Sequence, residues 1–266
     1  MQHYGKAADI RWPNAIWAWE FLRRNKHYQK DYFKHHQDGP KIYELPSGSQ
    51  LIVGERRYRA ARKWGLLFFA DPQKAAHEAG VFWKPSVFPA TIPVSLRNPE
   101  REKQRERLGK WEDSDLVIIS DLCCRRYIFE SINQSRHVVL APRRYWIQLY
   151  CDSAHPLDDQ ALISIRIDGA RHANKRMSSF QQLLRLHKSS GRDIRAIGYR
   201  RNIAPLSNAI TALDIKNTGG SYGDISKAIT DIDILDTQKA AAKQKAVRAL
   251  QRGELYRDGK YLELLS

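Results

Sequence analysis

The spacing of apolar residues in the C-terminal third of the chain predicts three consecutive helices. In the first helix, apolar residues at positions i, i+3, i+4 and i+7 gather on one face: Leu206, Ala209, Ile210 and Leu213. Gly219 and Gly220 follow and end this helix, because glycine adopts the left-handed conformation at no steric cost.

Polar residues after the glycine pair predict where the second helix begins. Ser221 and Asp224 have the spacing of a capping pair, in which the hydroxyl accepts a hydrogen bond from the amide of residue 224. The carboxylate then lies at the positive end of the helix dipole. The apolar face of this helix is expected at Ile225, Ala228 and Ile229.

The third helix is expected to begin at Asp236 or Thr237, either of which can cap it, and to end near Arg252. Its apolar face is predicted at Ala240, Ala246, Val247 and Leu250. Its cations are Lys239, Lys243, Lys245, Arg248 and Arg252. The last three lie opposite the apolar face, whereas the first two project near it, in the first turns and beyond the edge of the core.

The N-terminal part of the chain alternates short helices with short extended segments. A helix from Ala15 to Arg24 has Trp17 and Phe21 one turn apart, and both are expected in the core. The further elements predicted are a short helix that begins near Tyr28 and ends near His36 to Gly39, two extended pieces within Tyr43 to Val53, a helix from Glu55 to Trp64, and buried strands or edge segments at Leu66 to Phe69 and Phe82 to Val94.

Alternation of apolar and polar residues predicts strands in the middle of the chain. They are expected at Asp115 to Ser120, Arg125 to Phe129, His137 to Ala141, Tyr145 to Tyr150 and Leu162 to Ile167. Their connections are too short for parallel crossovers, so an antiparallel sheet is the simplest outcome. The predicted fold class is α+β, with an α/β N-terminal domain, an antiparallel β-rich middle and an all-helical, helix-turn-helix-like C-terminal domain.

Positive charge is concentrated in the two ends of the chain. The 266 residues include 45 Lys and Arg and 29 Asp and Glu, which gives a net charge of +16. Residues 1–110 hold 21 basic and 11 acidic side chains, residues 111–170 hold 6 and 9, and residues 171–266 hold 18 and 9. This balance is typical of a nucleic-acid-binding protein whose middle segment avoids DNA, although a generic β core would have the same charge.

A basic helix supported by two others resembles the way proteins read the major groove, which is about one helix wide. We expect Gln238 and Lys239 to contact base edges, with Lys243 and Lys245 in the same groove. Contacts to the DNA backbone are expected at Arg248, Arg252, Arg200, Arg201, Ser221 and Tyr222. The alternative is an amphipathic helix with a solvated basic face. Since one such helix binds modestly, we also expect a homo-oligomer that presents several copies to double-stranded DNA.

Basic proteins of this size include nucleases, so the acidic residues and histidines of the chain are candidate catalytic and metal-binding groups. An acidic cluster is present at Glu112, Asp113, Asp115 and Asp121, but Asp115 and Asp121 flank a predicted strand at opposite ends, whereas metal catalysis needs converging carboxylates. Adjacent histidines diverge on a helix, so no zinc site is expected at His27, His35 and His36. We expect no enzyme activity, no metal and no cofactor.

Targeting signals and a disulfide framework are not expected from this sequence. No apolar run approaches the ~18 residues of a membrane span, and the N-terminus lacks signal-peptide features. The cysteines are odd in number, at 123, 124 and 151. We expect a cytoplasmic, nucleoid-associated protein without a membrane partner and with reduced cysteines.

Two groups of residues resemble RovC-like transcription factors. The C-terminal group resembles their DNA-binding domain and comprises Leu206, Ala212, Leu213, Asp214, Gly220, Ser221, Tyr222, Ile225, Ala228, Arg248, Ala249, Leu250, Arg252, Gly253, Gly259, Tyr261, Leu264 and Leu265. The N-terminal group resembles the companion domain that often precedes it and comprises residues 17–25, Tyr28, Asp31, Tyr32 and residues 64–66 and 68–72.

The resemblance implies a domain organisation and a function. It implies a regulator-like domain at 1–110 and a DNA-binding region at 111–266, of which 111–175 is β-rich and 176–266 is helical and reads DNA. It also implies a bacterial transcriptional activator. The member that gives this family its name is linked to activation of type VI secretion genes. A higher-order assembly such as a hexamer is implied as well, and RNA polymerase is a candidate partner.

Two other functions remain open. A protein-interaction adaptor or anti-activator would use the same three helices to bind an acidic partner, with little dependence on DNA sequence. An RNA-binding protein would expose aromatic side chains on a sheet for base stacking. Tyr145 and Trp146 are the candidates for such stacking.

Overall fold

The computed structural model describes residues 12–46, 48–97, 122, 124–142, 145–151, 162–165, 170–188, 204–230 and 239–266. The helices in these ranges are α1 (Asn14–Leu22), α2 (Lys26–His35), α3 (Arg59–Arg62), α4 (Ala76–Ala79), α5 (Ala173–Lys188), α6 (Ala204–Asn217), α7 (Tyr222–Thr230) and α8 (Lys239–Arg257), with 3-10 turns at His36–Asp38, Ala170–His172 and Lys260–Leu264. The strands are β1 (Lys41–Glu44), β2 (Gln50–Val53), β3 (Ile92–Arg97), β4 (Arg125–Glu130), β5 (Arg136–Ala141), β6 (Ile147–Cys151) and β7 (Leu162–Ile165). The fold is α+β, as predicted.

The described strands form one mixed sheet in the order β1-β2-β4-β5-β6-β3-β7. Neighbours β4, β5 and β6 are antiparallel, but β2 pairs with β4 in parallel, and so does β3 with β6. The prediction of an antiparallel sheet in the middle of the chain is therefore confirmed for β4, β5 and β6, and the two parallel pairs were not predicted. It considered only the short connections among the middle strands, whereas each parallel pair joins an N-terminal strand to a middle strand through a long crossover.

Successive residues of the sheet point alternately into two hydrophobic cores. On one face, Tyr127, Phe129 and Val139 belong to a first core that also contains α1 and the buried sides of α6, α7 and α8. On the other face, Ile128 and Val138 belong to a second core that contains the buried side of α5. The C-terminal helices and α5 therefore lie on opposite faces of the sheet.

Helix α1 lies inside the first core. Every residue from Ala15 to Leu22 is buried, including Trp17 and Phe21, which confirms the prediction for both. The helix consequently has no face for solvent or for a ligand, and it serves to join the parts of the molecule that pack around it.

Some predicted elements differ in the structure. The helix expected over Glu55 to Trp64 is reduced to α3, because the Gly54 N–H still donates to the Glu130 carbonyl across the sheet (2.8 Å). The Arg56 guanidinium also holds this segment against the Asp38 carboxylate, at 2.9 Å. The strand expected over Leu66 to Phe69 is only an isolated bridge between Leu66 and Trp83.

Two further predicted elements lie outside the described residues. The strand Asp115 to Ser120 and the cap at Asp236 or Thr237 lie outside them. Of the cysteines within the described ranges, Cys151 is buried, Cys124 is half-buried, and neither forms a disulfide.

Candidate nucleic-acid interface

Helices α6, α7 and α8 pack against one another at the C-terminal end of the chain. Helix α6 contributes Ala209, Ala212 and Leu213 to the first core, and α7 contributes Ile225. The contact between α6 and α8 is close at Gly253, where a Cβ atom would lie 2.7 Å from the Ala209 carbonyl oxygen. A glycine is therefore required for the two backbones to approach this closely.

The turn between α6 and α7 forms as the sequence predicts. Gly219 has a φ of 86°, the left-handed conformation that ends a helix. Its N–H donates to the Lys216 carbonyl, and the Gly220 N–H donates to the Ile215 carbonyl at 2.9 Å. These two hydrogen bonds use the carbonyls that the last turn of α6 leaves without helical partners.

The capping pair at the start of α7 is also confirmed. The Asp224 N–H donates to the Ser221 hydroxyl oxygen (3.2 Å), while the Ser221 N–H and hydroxyl both donate to the Asp224 carboxylate at 2.8 and 2.7 Å. These hydrogen bonds lower the pKa of Asp224. Ser221 and Tyr222 are exposed here, and the Tyr222 ring lies 5.5 Å from the Lys216 ammonium.

Helix α8 carries the predicted DNA-contacting cations on its exposed surface. Residues 239–257 include six basic side chains and one acidic side chain, Glu254. The cations named from the sequence are all exposed: Lys239, Lys243, Lys245, Arg248 and Arg252. Within the described residues, the last four form no ion pair. Their charge is therefore available to an anionic partner.

The cations of α8 occupy two sides of the helix. Lys245, Arg248 and Arg252 are three and four residues apart and share one side, whereas Lys239 and Lys243 share another. The separation of these two groups agrees with the sequence prediction. The other predicted contact residues, Gln238, Arg200 and Arg201, lie outside the described residues.

The buried faces of α7 and α8 differ from the predicted ones. On α7, Ala228 is exposed and Ser226 is buried with Ile225. On α8, Ala240 is exposed and Val247 is half-buried. The buried residues of α8 are Ala242, Ala246, Ala249, Leu250 and Gly253, and the helix continues to Arg257 rather than ending near Arg252. The face is rotated because α8 packs through its small residues, which admit the backbone of α6.

An ion-pair network joins α1 to α6, and no role for its residues was derived from the sequence. The Arg24 guanidinium donates to both carboxylate oxygens of Asp214, at 2.6 and 2.8 Å, and to the Glu20 carboxylate at 2.7 Å. Burial lowers the pKa of Arg24, but these acidic partners raise it above its ordinary value. Glu20, which is 2 % exposed, also accepts from Arg23 at 2.7 Å.

Further contacts attach the C-terminal helices to the N-terminal part of the chain. The Asn25 side chain caps α2 by accepting from the N–H groups of His27 and Tyr28, and its amide donates to the Arg257 carbonyl at 2.9 Å. The Phe21 and Tyr256 rings stack at 5.0 Å. The sequence feature that could have indicated these contacts is a set of charged and amide side chains directly beside a largely apolar stretch. Polar groups next to a core need hydrogen-bond partners when they are buried.

Comparison with protein families gives a match in the N-terminal part of the chain. Residues 6–69 match the model of the proteobacterial transcriptional regulator-like domain. This match supports a role in transcription regulation, and it includes α1, α2, β1, β2 and α3. No curated protein matches the chain. The regulator-like segment is the one to which the C-terminal helices are attached through Arg24 and Asn25.

The described residues contain neither a membrane-spanning helix nor a group of potential metal ligands. None of the helices described there combines the length and apolar character that a membrane crossing requires. No three His, Cys, Asp or Glu side chains of the described residues gather closely enough to hold a metal ion. The acidic cluster from Glu112 to Asp121 lies outside these residues.

The close approach at Gly253 allows a test of how α6 and α8 pack. Gly253→Ala should lower the free energy of unfolding by about 1–3 kcal/mol, because the new methyl group meets a backbone oxygen. Gly223→Ala is the matched control: its Cβ would contact only the Ser221 hydroxyl oxygen, at 3.4 Å. It should stabilise the protein by about 0.5–1 kcal/mol through helix propensity. Urea denaturation of both variants measures the difference, and equal stabilities would contradict the packing.

Proposed function

We propose that this protein is a RovC-like, sequence-specific DNA-binding transcriptional activator. The observation that carries the proposal is the exposed cationic surface of α8, supported from behind by α6 and α7 and attached to a segment that matches a transcriptional regulator-like domain. Activation of type VI secretion genes is part of the proposal, and identity with RovC itself is its narrowest form. The proposed site of action is the cytoplasmic nucleoid.

In the proposed binding mode, α6 to α8 act as a helix-turn-helix-like unit. Helix α7 crosses the DNA backbone, with Ser221 and Tyr222 near phosphates. The first turns of α8 enter the major groove, where Gln238 and Lys239 contact base edges. Lys243 and Lys245 lie in the same groove, and the phosphate contacts along the backbone are assigned to Arg248, Arg252, Arg200 and Arg201.

The α8 cations that form no ion pair among the described residues favour binding of DNA over binding of a small acidic ligand. A duplex is a continuous row of phosphates, and each Lys or Arg that neutralises one releases condensed counterions. A helix with cations on two sides, such as α8, can contact both walls of a groove. An acidic protein partner would use the same charges, but its binding would not depend on DNA sequence.

The RNA-binding alternative is disfavoured by burial. Tyr145 and Trp146 are each 3 % exposed and belong to the two hydrophobic cores. They therefore cannot stack on bases from the surface of the sheet, as a single-stranded RNA-binding sheet requires. The adaptor or anti-activator alternative is left as the second candidate, and DNA titration separates it from the first.

The proposed active form is a homo-oligomer, up to a hexamer, which presents several copies of α8 to a promoter and then contacts RNA polymerase. Strand β1 offers an edge for contacts between copies, since Ile42 and Tyr43 are exposed on it and it pairs only with β2 in the described sheet. The proposal includes no catalytic step, metal or cofactor. Its mechanism is binding alone.

The test is a mobility-shift titration with the upstream region of the protein's own gene and with random DNA at several salt concentrations. Replacing Lys239 and Lys243 by alanine should reduce discrimination between the two DNAs by about 1–3 kcal/mol per lost base contact. Arg248→Ala should weaken binding to both DNAs alike and make the salt dependence less steep.

Lys34→Ala provides the matched control, because Lys34 is an exposed cation on α2, outside the three C-terminal helices. It should leave both affinity and discrimination unchanged. Equal affinity of the unaltered protein for both DNAs would contradict sequence-specific regulation. A folded Lys239→Ala/Lys243→Ala variant with full discrimination would place the DNA-reading residues elsewhere.

A further inference from the structure

Helix α5 carries a second basic surface that the proposed DNA-binding mode does not use. Residues 170–188 contain five basic side chains and no acidic one. Its buried side, with Leu183 and Leu186, packs in the second core against the sheet. The opposite side of α5 faces solvent.

The solvent side of this segment combines cations with neutral hydrogen-bonding groups. The exposed residues are Arg171, Asn174, Lys175, Met177, Ser178, Gln181 and Arg185. Residues 174, 178, 181 and 185 follow at helical spacing and form one stripe. Within the described residues, Arg171, Lys175 and Arg185 form no ion pair. We refer to the stripe, together with Arg171 and Lys175, as the α5 surface.

The electrostatics of the α5 surface favour an anion. Partial burial and the neighbouring cations Arg171, Lys175 and Arg176 lower the pKa of His172, so a further positive charge is disfavoured there. Solvated protein surfaces ordinarily mix both signs of charge, whereas a surface of one sign attracts the opposite charge. The amides and hydroxyl between the cations are groups that donate hydrogen bonds to phosphate oxygens.

The α5 surface and the α8 cations lie on opposite faces of the central sheet. Helix α8 packs in the first core, α5 packs in the second, and the sheet separates the two cores. Double-stranded DNA has a persistence length of about 150 base pairs, so a short duplex bound along α8 cannot bend round the molecule to reach α5. Any duplex on α5 must be a second segment.

We propose that the protein binds two segments of double-stranded DNA at once, one through α8 and the other through the phosphate-binding α5 surface. This proposal rests on the proposed function, because it takes DNA as the ligand of α8. The α5 contact is made to the backbone and is independent of sequence. One protein would therefore bridge two separated DNA sites. The segment bound by α5 would be brought close to the promoter bound by α8.

The test is a bridging assay with two duplexes, one immobilised on beads and the other fluorescent. The unaltered protein should retain the fluorescent duplex on the beads. Lys175→Glu/Arg185→Glu should reduce the retained fluorescence at least tenfold while single-duplex affinity for the upstream DNA is preserved. The matched control is Lys30→Glu/Lys34→Glu on α2, which makes the same charge change at exposed positions and should retain bridging.

The outcomes separate this proposal from the proposed function. Full bridging by the α5 variant would overturn the proposal, because copies of α8 in an oligomer would then suffice. A changed molar mass of that variant in light scattering would also overturn it, since the α5 surface would then be a contact between copies. If Arg248→Glu/Arg252→Glu leaves single-duplex binding intact, the proposed function itself fails. The neutralising pair Lys175→Gln/Arg185→Gln, checked by circular dichroism, repeats the test with a milder change.

Discussion

Arg24→Met should destabilise the protein by about 3 kcal/mol or more, the largest effect that we expect from a single substitution. Breaking a buried ion pair by removing one partner typically costs about 3–5 kcal/mol, because the remaining charge is left without compensation. Here the remaining charge is that of Glu20, which is 2 % exposed and, among the described residues, would keep only Arg23 as a partner. Asp214 on α6 would also lose both of its hydrogen bonds from Arg24.

The measurement is urea denaturation followed by circular dichroism. Lys41→Met is the matched control, since it removes the ion pair of Lys41 with Glu55, in which both side chains are about 60 % exposed. Exposed pairs contribute little because water screens them, so this control should unfold like the unaltered protein. If Arg24→Met loses no more stability than Lys41→Met, the network does not hold α1 to α6.

A double-substitution cycle locates the effect. Combining Arg24→Met with Asp214→Asn isolates the energy of their pairing from the loss at Glu20. We expect the interaction energy to be smaller than the full cost of Arg24→Met, because Asp214 is half exposed and Glu20 is buried. Most of the destabilisation would then arise inside the regulator-like segment rather than at its contact with α6.

Local signals in the sequence were sufficient to predict several elements correctly. The glycine pair after α6 and the Ser221–Asp224 cap form as expected, because each depends on backbone conformation and on hydrogen bonds within a few residues. The two extended pieces predicted within Tyr43 to Val53 are confirmed as β1 and β2, and Trp17 and Phe21 are buried as their helical spacing predicts.

The buried face of α8, which is rotated relative to the predicted face, could not be predicted from the sequence of the helix alone. Residues 240–242 are three consecutive alanines, so they offer equal hydrophobicity on three sides of the helix. What fixes the buried face is Gly253, whose missing side chain admits the Ala209 carbonyl of α6. That contact depends on a second helix more than 40 residues away in the chain. The cations were nevertheless predicted to be exposed, because charged side chains are rarely buried.

The parallel strand pairs were missed because their partners are distant in sequence. Gln50 pairs with Tyr127, and Ile92 pairs with Leu149, in registers that no short connection determines. Arg24 and Asn25 belong to the N-terminal group that the resemblance singles out, and their partners Asp214 and Arg257 lie about 190 and 230 residues further along the chain. Long-range pairing of this kind has no periodic pattern in a single sequence.

The protein should lose stability as the pH falls from 6.5 to 4, because of His137. This residue on β5 is 4 % exposed, its ring packs against Tyr150 at 4.9 Å, and its Nδ1 atom has no hydrogen-bond partner among the described residues. Burial lowers the pKa of His137 from 6.5 to about 4, since the charged imidazolium would be placed in an apolar environment. The neutral ring is therefore the form that the fold accepts.

The direction of the effect follows from proton binding. Between pH 6.5 and 4, His137 is protonated in the unfolded chain and neutral in the folded one, so falling pH favours unfolding. The contribution is fully present above pH 6.5 and is lost progressively toward pH 4, with a total of about 3 kcal/mol. Below pH 4 both states are protonated, and His137 contributes no further change.

His137→Phe tests this assignment, because it keeps an aromatic ring between Phe129 and Tyr150 but removes the titrating group. The free energy of unfolding of this variant, measured by urea denaturation at intervals from pH 7 to pH 4, should fall less steeply than that of the unaltered protein. His77→Ala is the control, since the His77 side chain is 61 % exposed and its removal should leave the slope unchanged. Equal slopes for His137→Phe and the unaltered protein would show that other groups cause the loss of stability in acid.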